Sequence, residues 1–196
     1  MIRAMNKQDS NVGNLGDILK HAALVSLLDM FLEGEEPIVW VDTHAYALEA
    51  TCPNVPRWRR EVTAELAGSP DFQRYVDLQH RLDGNSTYRC STGILVDVAR
   101  QATRTTPFLI LGERDDATRR ALVAQLANEV LRAHAVLEDA EQLVQVEIPP
   151  LPYRVLALVD PFTLEQSMWA AVSAGLSRLA RHALDAAAYC SPMIPR

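Results

Sequence analysis

Apolar positions along the chain fall into two kinds of pattern. Ile18, Leu19, Ala22, Ala23, Val25, Leu27 and Leu28 recur at helical spacing and predict a helix over residues 17–32. Asp17 stands at its start, where a carboxylate can accept N–H groups that the first helical turn leaves unpaired. Ile38-Val39-Trp40-Val41 is different: a short unbroken apolar run after Pro37 that ends at Asp42, as in a strand buried on both faces. Phe108–Leu111 and Val155–Val159 repeat that pattern, and Ala186–Cys190 is a weaker version. Residues 56–84 are charged and helical, with Pro70 opening a second helix at Asp71. Residues 92–104, the stretch from Asp115 or Asp116 to about Ala127, and residues 164–181 also read as helices. Val130–Leu137 fits helix and strand equally well. Gly84-Asn85-Ser86 is a turn and Pro149–Pro152 a stiff connector.

Strands alternating with helices predict βαβ units and a mostly parallel sheet. We expect one domain over residues 1–196, with 56–84 as a small helical insertion. There is no internal repeat, no signal peptide and no apolar run long enough for a membrane span. Apolar residues make up 48% of the chain, enough for a real core. The formal net charge of −6 argues against broad contact with phosphate backbones. The basic groups Arg57, Arg59, Arg60 and Arg114, Arg119, Arg120 read as solvated helix faces. Cys52, Cys90 and Cys190 are scattered and odd in number, which suits a cytoplasmic protein without disulfides or a zinc site.

Ligands of an open parallel sheet bind beyond the C-terminal ends of its strands. The sequence puts Asp42, Thr43 and His44 after the first strand, Glu113 after the second and Asp160 after the Val155–Val159 strand. Asp139 follows the ambiguous stretch. A carboxylate after the second strand can accept both hydroxyls of a ribose, which makes Glu113 the ribose candidate. Histidines and carboxylates together can also perform acid–base work near neutral pH. His80, His134 and His182 sit in helical or surface patterns and read as ordinary. Asp42, His44 and Asp160 could ligate a metal, but their spacing is not diagnostic, and no metal site is assigned.

Gly13-Asn14-Leu15-Gly16-Asp17-Ile18-Leu19-Lys20-His21 has the form G-N-x-x-D-x-x-K-H, which resembles the N-terminal motif of the bacterial 23S rRNA adenine-N6 methyltransferases of the RlmJ type. Asp42-Thr43-His44-Ala45, Tyr88-Arg89-Cys90-Ser91, Leu111-Gly112-Glu113 and Leu158-Val159-Asp160-Pro161 agree with it in order. The likeness runs from about Gly13 to Pro192. It implies a Rossmann-like fold with S-adenosyl-L-methionine as cofactor, and a third strand over Ala133–Leu137. Lys20, His21, His44, Ser91, Glu113, Asp139 and Asp160 would be its cofactor-binding residues. Asp160, Phe162 and His44 would be catalytic.

The chain departs from that family at several points. Asp160-Pro161-Phe162-Thr163 replaces Asp-Pro-Pro-Tyr, moving the aromatic ring one position earlier. Tyr46 and Leu48 stand where the family has glycines near the cofactor. Asp139-Ala140 replaces Asp-Gly, and Asn6-Lys7-Gln8 aligns with an RNA-facing Tyr-Arg-His. The fold is expected to be truncated after about the fifth strand, whose edge a homodimer or another partner would then cover. Three functions stay open. One is a diverged methyltransferase acting on a small-molecule substrate in preference to RNA. Another is a small-molecule enzyme reusing the fold for acid–base chemistry. The third is a non-catalytic relic that binds or assembles.

Overall fold

The computed structural model describes residues 13–51, 57–80, 87–101, 107–127, 134–146, 152–160, 166–181 and 183–190. The chain begins with helix α1 (Leu15–Leu32) and strand β1 (Ile38–Asp42), then the short strand β2 (Glu49–Thr51). Helices α2 (Arg57–Ala67) and α3 (Pro70–His80) precede β3 (Thr87–Arg89) and α4 (Ser91–Gln101). Next come β4 (Phe108–Gly112), α5 (Asp116–Ala127), β5 (His134–Leu137) and a 3-10 helix (Ala140–Gln145). The last elements are β6 (Tyr153–Val159), α6 (Gln166–Ala180) and β7 (Ala183–Cys190).

Five strands form one parallel sheet in the order β5-β4-β1-β6-β7. The chain builds outward from β1 through β4 to β5, then returns to the other side of β1 with β6. The switch point therefore lies between β1 and β6, with Asp42 level with Leu158. This is the α/β, Rossmann-like architecture that the alternating pattern predicts.

Side chains of the central strands alternate strictly between two cores. Ile38, Trp40, Leu109, Leu111, Leu156 and Leu158 join the cluster that includes Ile18, Leu24 and Leu28 of α1, Ile94 and Leu95 of α4, and Leu122 of α5. Val39, Val41, Ile110, Val155 and Ala157 face the other way, onto Leu143 and Val146 near the 3-10 helix and Leu179 of α6. Burial on both faces is why these strands read as continuous apolar runs.

Several boundaries differ from expectation. Helix α1 starts at Leu15, capped by Asn14, whose side chain accepts the Asp17 N–H. The Asp17 carboxylate reaches back to the Gly13 N–H (2.8 Å), a reciprocal cap, and Gly13 itself takes a positive φ of 75°. β7 begins at Ala183, not Ala186, because pairing with β6 already includes Ala183 and the exposed Asp185, with the exposed Leu184 skipped at a register shift between them. The ambiguous stretch does supply a third core strand, β5. The helical insertion is bracketed by β2 and β3, which pair antiparallel and bring its two ends together. Among the described residues, no helix is long and apolar enough to cross a membrane.

Candidate functional site

The C-terminal edge of the sheet gathers side chains from four separate parts of the sequence. Asp42 ends β1 and is 1% exposed. Its Oδ2 accepts the Ser91 hydroxyl at 2.6 Å and that of Thr92 at 3.4 Å; its Oδ1 accepts the His44 N–H at 3.2 Å. Burial outweighs these bonds and lifts the Asp42 carboxyl to about 6. Ser91 and Thr92 reach it because α4 begins directly after β3. Its first turn lies so close to residue 48 that a Cβ on Gly93 would stand 1.9 Å from the Leu48 carbonyl oxygen.

Asp160 follows β6 and forms an ion pair with Lys20 of α1. The Lys20 ammonium also holds Asp17 at 3.1 Å. Burial alone would lower the lysine, but Asp160 and Asp17 together outweigh it and raise it above its ordinary value. Lys20 is 8% exposed, so this is an interior ammonium held between two carboxylates.

Glu113 directly follows β4 and is 8% exposed. Its N–H donates to the Leu137 carbonyl (3.0 Å), and its Oε1 accepts the Asp115 N–H (2.7 Å). Burial is the main cause of its rise to about 7, with Asp115 and Asp42 adding repulsion. Near neutral pH the carboxyl is thus shared between its two protonation states.

Both candidate histidines are neutral. His21 is held well below 6.5 by burial and then by Lys20; its Nδ1 lies 2.9 Å from the Tyr88 hydroxyl and the two rings stack. His44 is lowered chiefly by burial, partly offset by Asp160 and Asp139. Its Nδ1 lies 2.7 Å from the Thr43 hydroxyl. That electrostatic coupling puts His44, Asp160, Asp139 and Lys20 in one neighbourhood.

The predicted residues thus converge with differences in role. Lys20, His44, Asp139 and Asp160 form one electrostatic group, and Glu113 is coupled to Asp42. The Ser91 hydroxyl is directed at Asp42. Asp139 is half-buried and lies 3.9 Å from the exposed Arg114. Leu48 is buried, and the half-buried Tyr46 packs against the main core. Phe162, with the Pro161-Phe162-Thr163 departure, lies outside the described residues. Asp17, Thr92 and Tyr75 were not singled out as site residues. For Asp17 a signal existed, since an acid three positions before a lysine on a helix invites an ion pair.

The molecule is therefore an α/β protein whose parallel sheet carries a buried, titratable cluster at its C-terminal edge. No family model matches the chain, and no curated protein does. Among solved structures it is similar to protein LPL1258 from Legionella pneumophila str. Philadelphia 1, described by the family model DUF519. The two are 18% identical with a TM-score of 0.70, over 86% of this chain and 66% of that one. At that identity the likeness establishes the shared fold. The chain spans just under two thirds of the neighbour's length.

Proposed function

We propose that the chain is a diverged methyltransferase of the RlmJ type. It would bind S-adenosyl-L-methionine at the C-terminal edge of the sheet and methylate a small-molecule acceptor at Asp160. The observation that carries this reading is Glu113. A carboxyl 8% exposed at the end of β4, next to the central strand, suits a ribose diol. Two hydroxyl donors would offset the cost that burial imposes on its ionised form. Tyr46 and Leu48 fit the same reading, since both pack against the core.

His21, His44, Ser91 and Asp139 would complete the cofactor's surroundings. When bound, S-adenosyl-L-methionine supplies an electrophilic methyl group on a positively charged sulfur. Lys20 holds the Asp160 carboxylate in place, and that carboxylate would orient the acceptor by accepting a hydrogen bond. The acceptor would be a small molecule, because the carboxyls of Asp42, Glu113, Asp139 and Asp160 outnumber Lys20 and Arg114 there, and a polyanion would be repelled.

Calorimetric titration with S-adenosyl-L-methionine and S-adenosylhomocysteine tests this reading. We expect micromolar binding at pH 8. Binding needs ionised Glu113, so affinity should fall about tenfold at pH 6, one unit below its value of about 7. Glu113→Ala should abolish it. A folded protein that gives no heat with either compound, or a variant that binds as the parent does, would sink the proposal.

A second reading is acid–base chemistry on a small molecule without this cofactor. It is favoured by Glu113 at about 7, Asp42 at about 6 and a neutral His44 in one cluster.

A further inference from the structure

Three buried side chains from three separate elements touch in succession, the last of them next to Lys20. Tyr75 on α3, Tyr88 on β3 and His21 on α1 are 2%, 1% and 4% exposed. The two phenolic oxygens lie 3.4 Å apart, and the Tyr88 oxygen lies 2.9 Å from His21 Nδ1. Phenylalanine at either tyrosine position would fill the core without hydroxyls to satisfy. Lys20, the neighbour of His21, reaches Asp160 at the sheet edge.

The direction of these bonds follows from chemistry. A phenol is a stronger donor than an imidazole N–H, and an imidazole nitrogen is a stronger acceptor than a phenolic oxygen. The Tyr88 proton therefore lies on the His21 side, and Tyr75 donates in turn to the Tyr88 oxygen. Burial holds the Tyr88 phenol well above 10, so it keeps its proton. His21 is neutral and carries one N–H. With Nδ1 accepting from Tyr88, that proton sits on Nε2. Nε2 makes no hydrogen bond to the described residues and is not one of their fully buried unpaired atoms, so it keeps contact with solvent. An imidazole with one nitrogen fixed and the other open to water is a donor on which a ligand acceptor can replace that water.

We infer that Tyr88 is a positioning residue, backed by Tyr75: its hydroxyl locks His21 in the Nε2–H tautomer and so presents Nε2–H to an acceptor atom of the ligand at the strand ends. The ligand half of this inference rests on the cofactor site proposed above; the tautomer half stands on the geometry alone.

Histidine-labelled ¹⁵N NMR on the whole protein, with S-adenosylhomocysteine titration, tests both halves. The unliganded protein should show His21 with Nδ1 unprotonated and Nε2 protonated. Tyr88→Phe should lose that single tautomer and weaken S-adenosylhomocysteine about tenfold, the loss expected for one positioned hydrogen bond. Tyr75→Phe should keep the tautomer with a smaller loss of affinity, and it provides a milder variant if Tyr88→Phe folds poorly. A protonated Nδ1 in the parent overturns the inference, as does a Tyr88→Phe protein with tautomer and affinity unchanged. A fixed tautomer in a protein that binds no S-adenosylhomocysteine supports the relay and overturns the cofactor reading instead.

Discussion

Asp42 carries an electrostatic cost that can be read as pH dependence. Its carboxyl rises from the ordinary 3.8 to about 6 because burial penalises the charge more than Ser91 and the His44 N–H relieve it. The folded state therefore binds this proton more tightly than the unfolded chain does. The resulting stability is fully present below about pH 4 and is lost as pH rises through about 6. At full strength the loss is about 3 kcal/mol. Asp42→Asn removes the titration but leaves only one oxygen for donors arriving from two sides. Urea denaturation should find the variant less stable than the parent at pH 4.5, with the gap narrowing by about 2 kcal/mol by pH 7.5. A gap that stays constant with pH would mean that Asp42 does not titrate in this range. At this scale the sequence was informative: each acid of the site directly follows an apolar run or its turn, so Asp42, Glu113 and Asp160 could be placed from periodicity. Their protonation could not, because it depends on burial and on partners distant in sequence.

The elements that were legible are those whose local pattern is strong. β1, β4 and β6 are unbroken apolar runs, and α1 is a long apolar one, although its exposed Leu19 and buried Lys20 and His21 depart from a simple helical stripe. β2 and β3 are three residues each, Glu-Ala-Thr and Thr-Tyr-Arg, with no period to detect; they exist because the insertion between them returns to its starting point. The 3-10 helix is too short to show a period and is held by its packing against α6. Gly93 shows how such elements meet. On α4 it abuts the Leu48 carbonyl oxygen at 1.9 Å, a backbone group that cannot swing aside, whereas Gly175 on α6 abuts the buried Leu143 side chain at 2.7 Å, which can shift only by local repacking. Gly93→Ala should cost about 3 kcal/mol by overpacking. Gly175→Ala should cost about 1 kcal/mol, since helix propensity returns part of the strain. Thermal melts of the two variants check the order, and equal losses would contradict the close approach of α4 to residue 48. Gly93→Ala should also disturb ligand binding, because the same turn aims Ser91 at Asp42.

Across the whole molecule, Lys20 and Asp160 join the first helix to the sixth strand over 140 positions of sequence. No local pattern announces such a contact. It requires the return of the chain to the far side of β1, which places the end of β6 near the start of α1. The pair is stabilising only while complete. Lys20→Met would leave Asp17 and Asp160 facing one another without their ammonium, which is the costly way to break a buried ion pair. Both carboxylates keep roughly a quarter of their surface in contact with water (21% and 26%), so we expect a loss of about 1–3 kcal/mol at pH 7, toward the low end of buried pairs. A second substitution tests the sign. Adding Asp160→Asn to Lys20→Met should restore stability relative to the single variant, giving a coupling energy in a double-mutant cycle. If the two substitutions simply add, the ion pair does not hold α1 to the sheet. The order of the site would then rest on the Asn14–Asp17 cap and the packing of α1 alone.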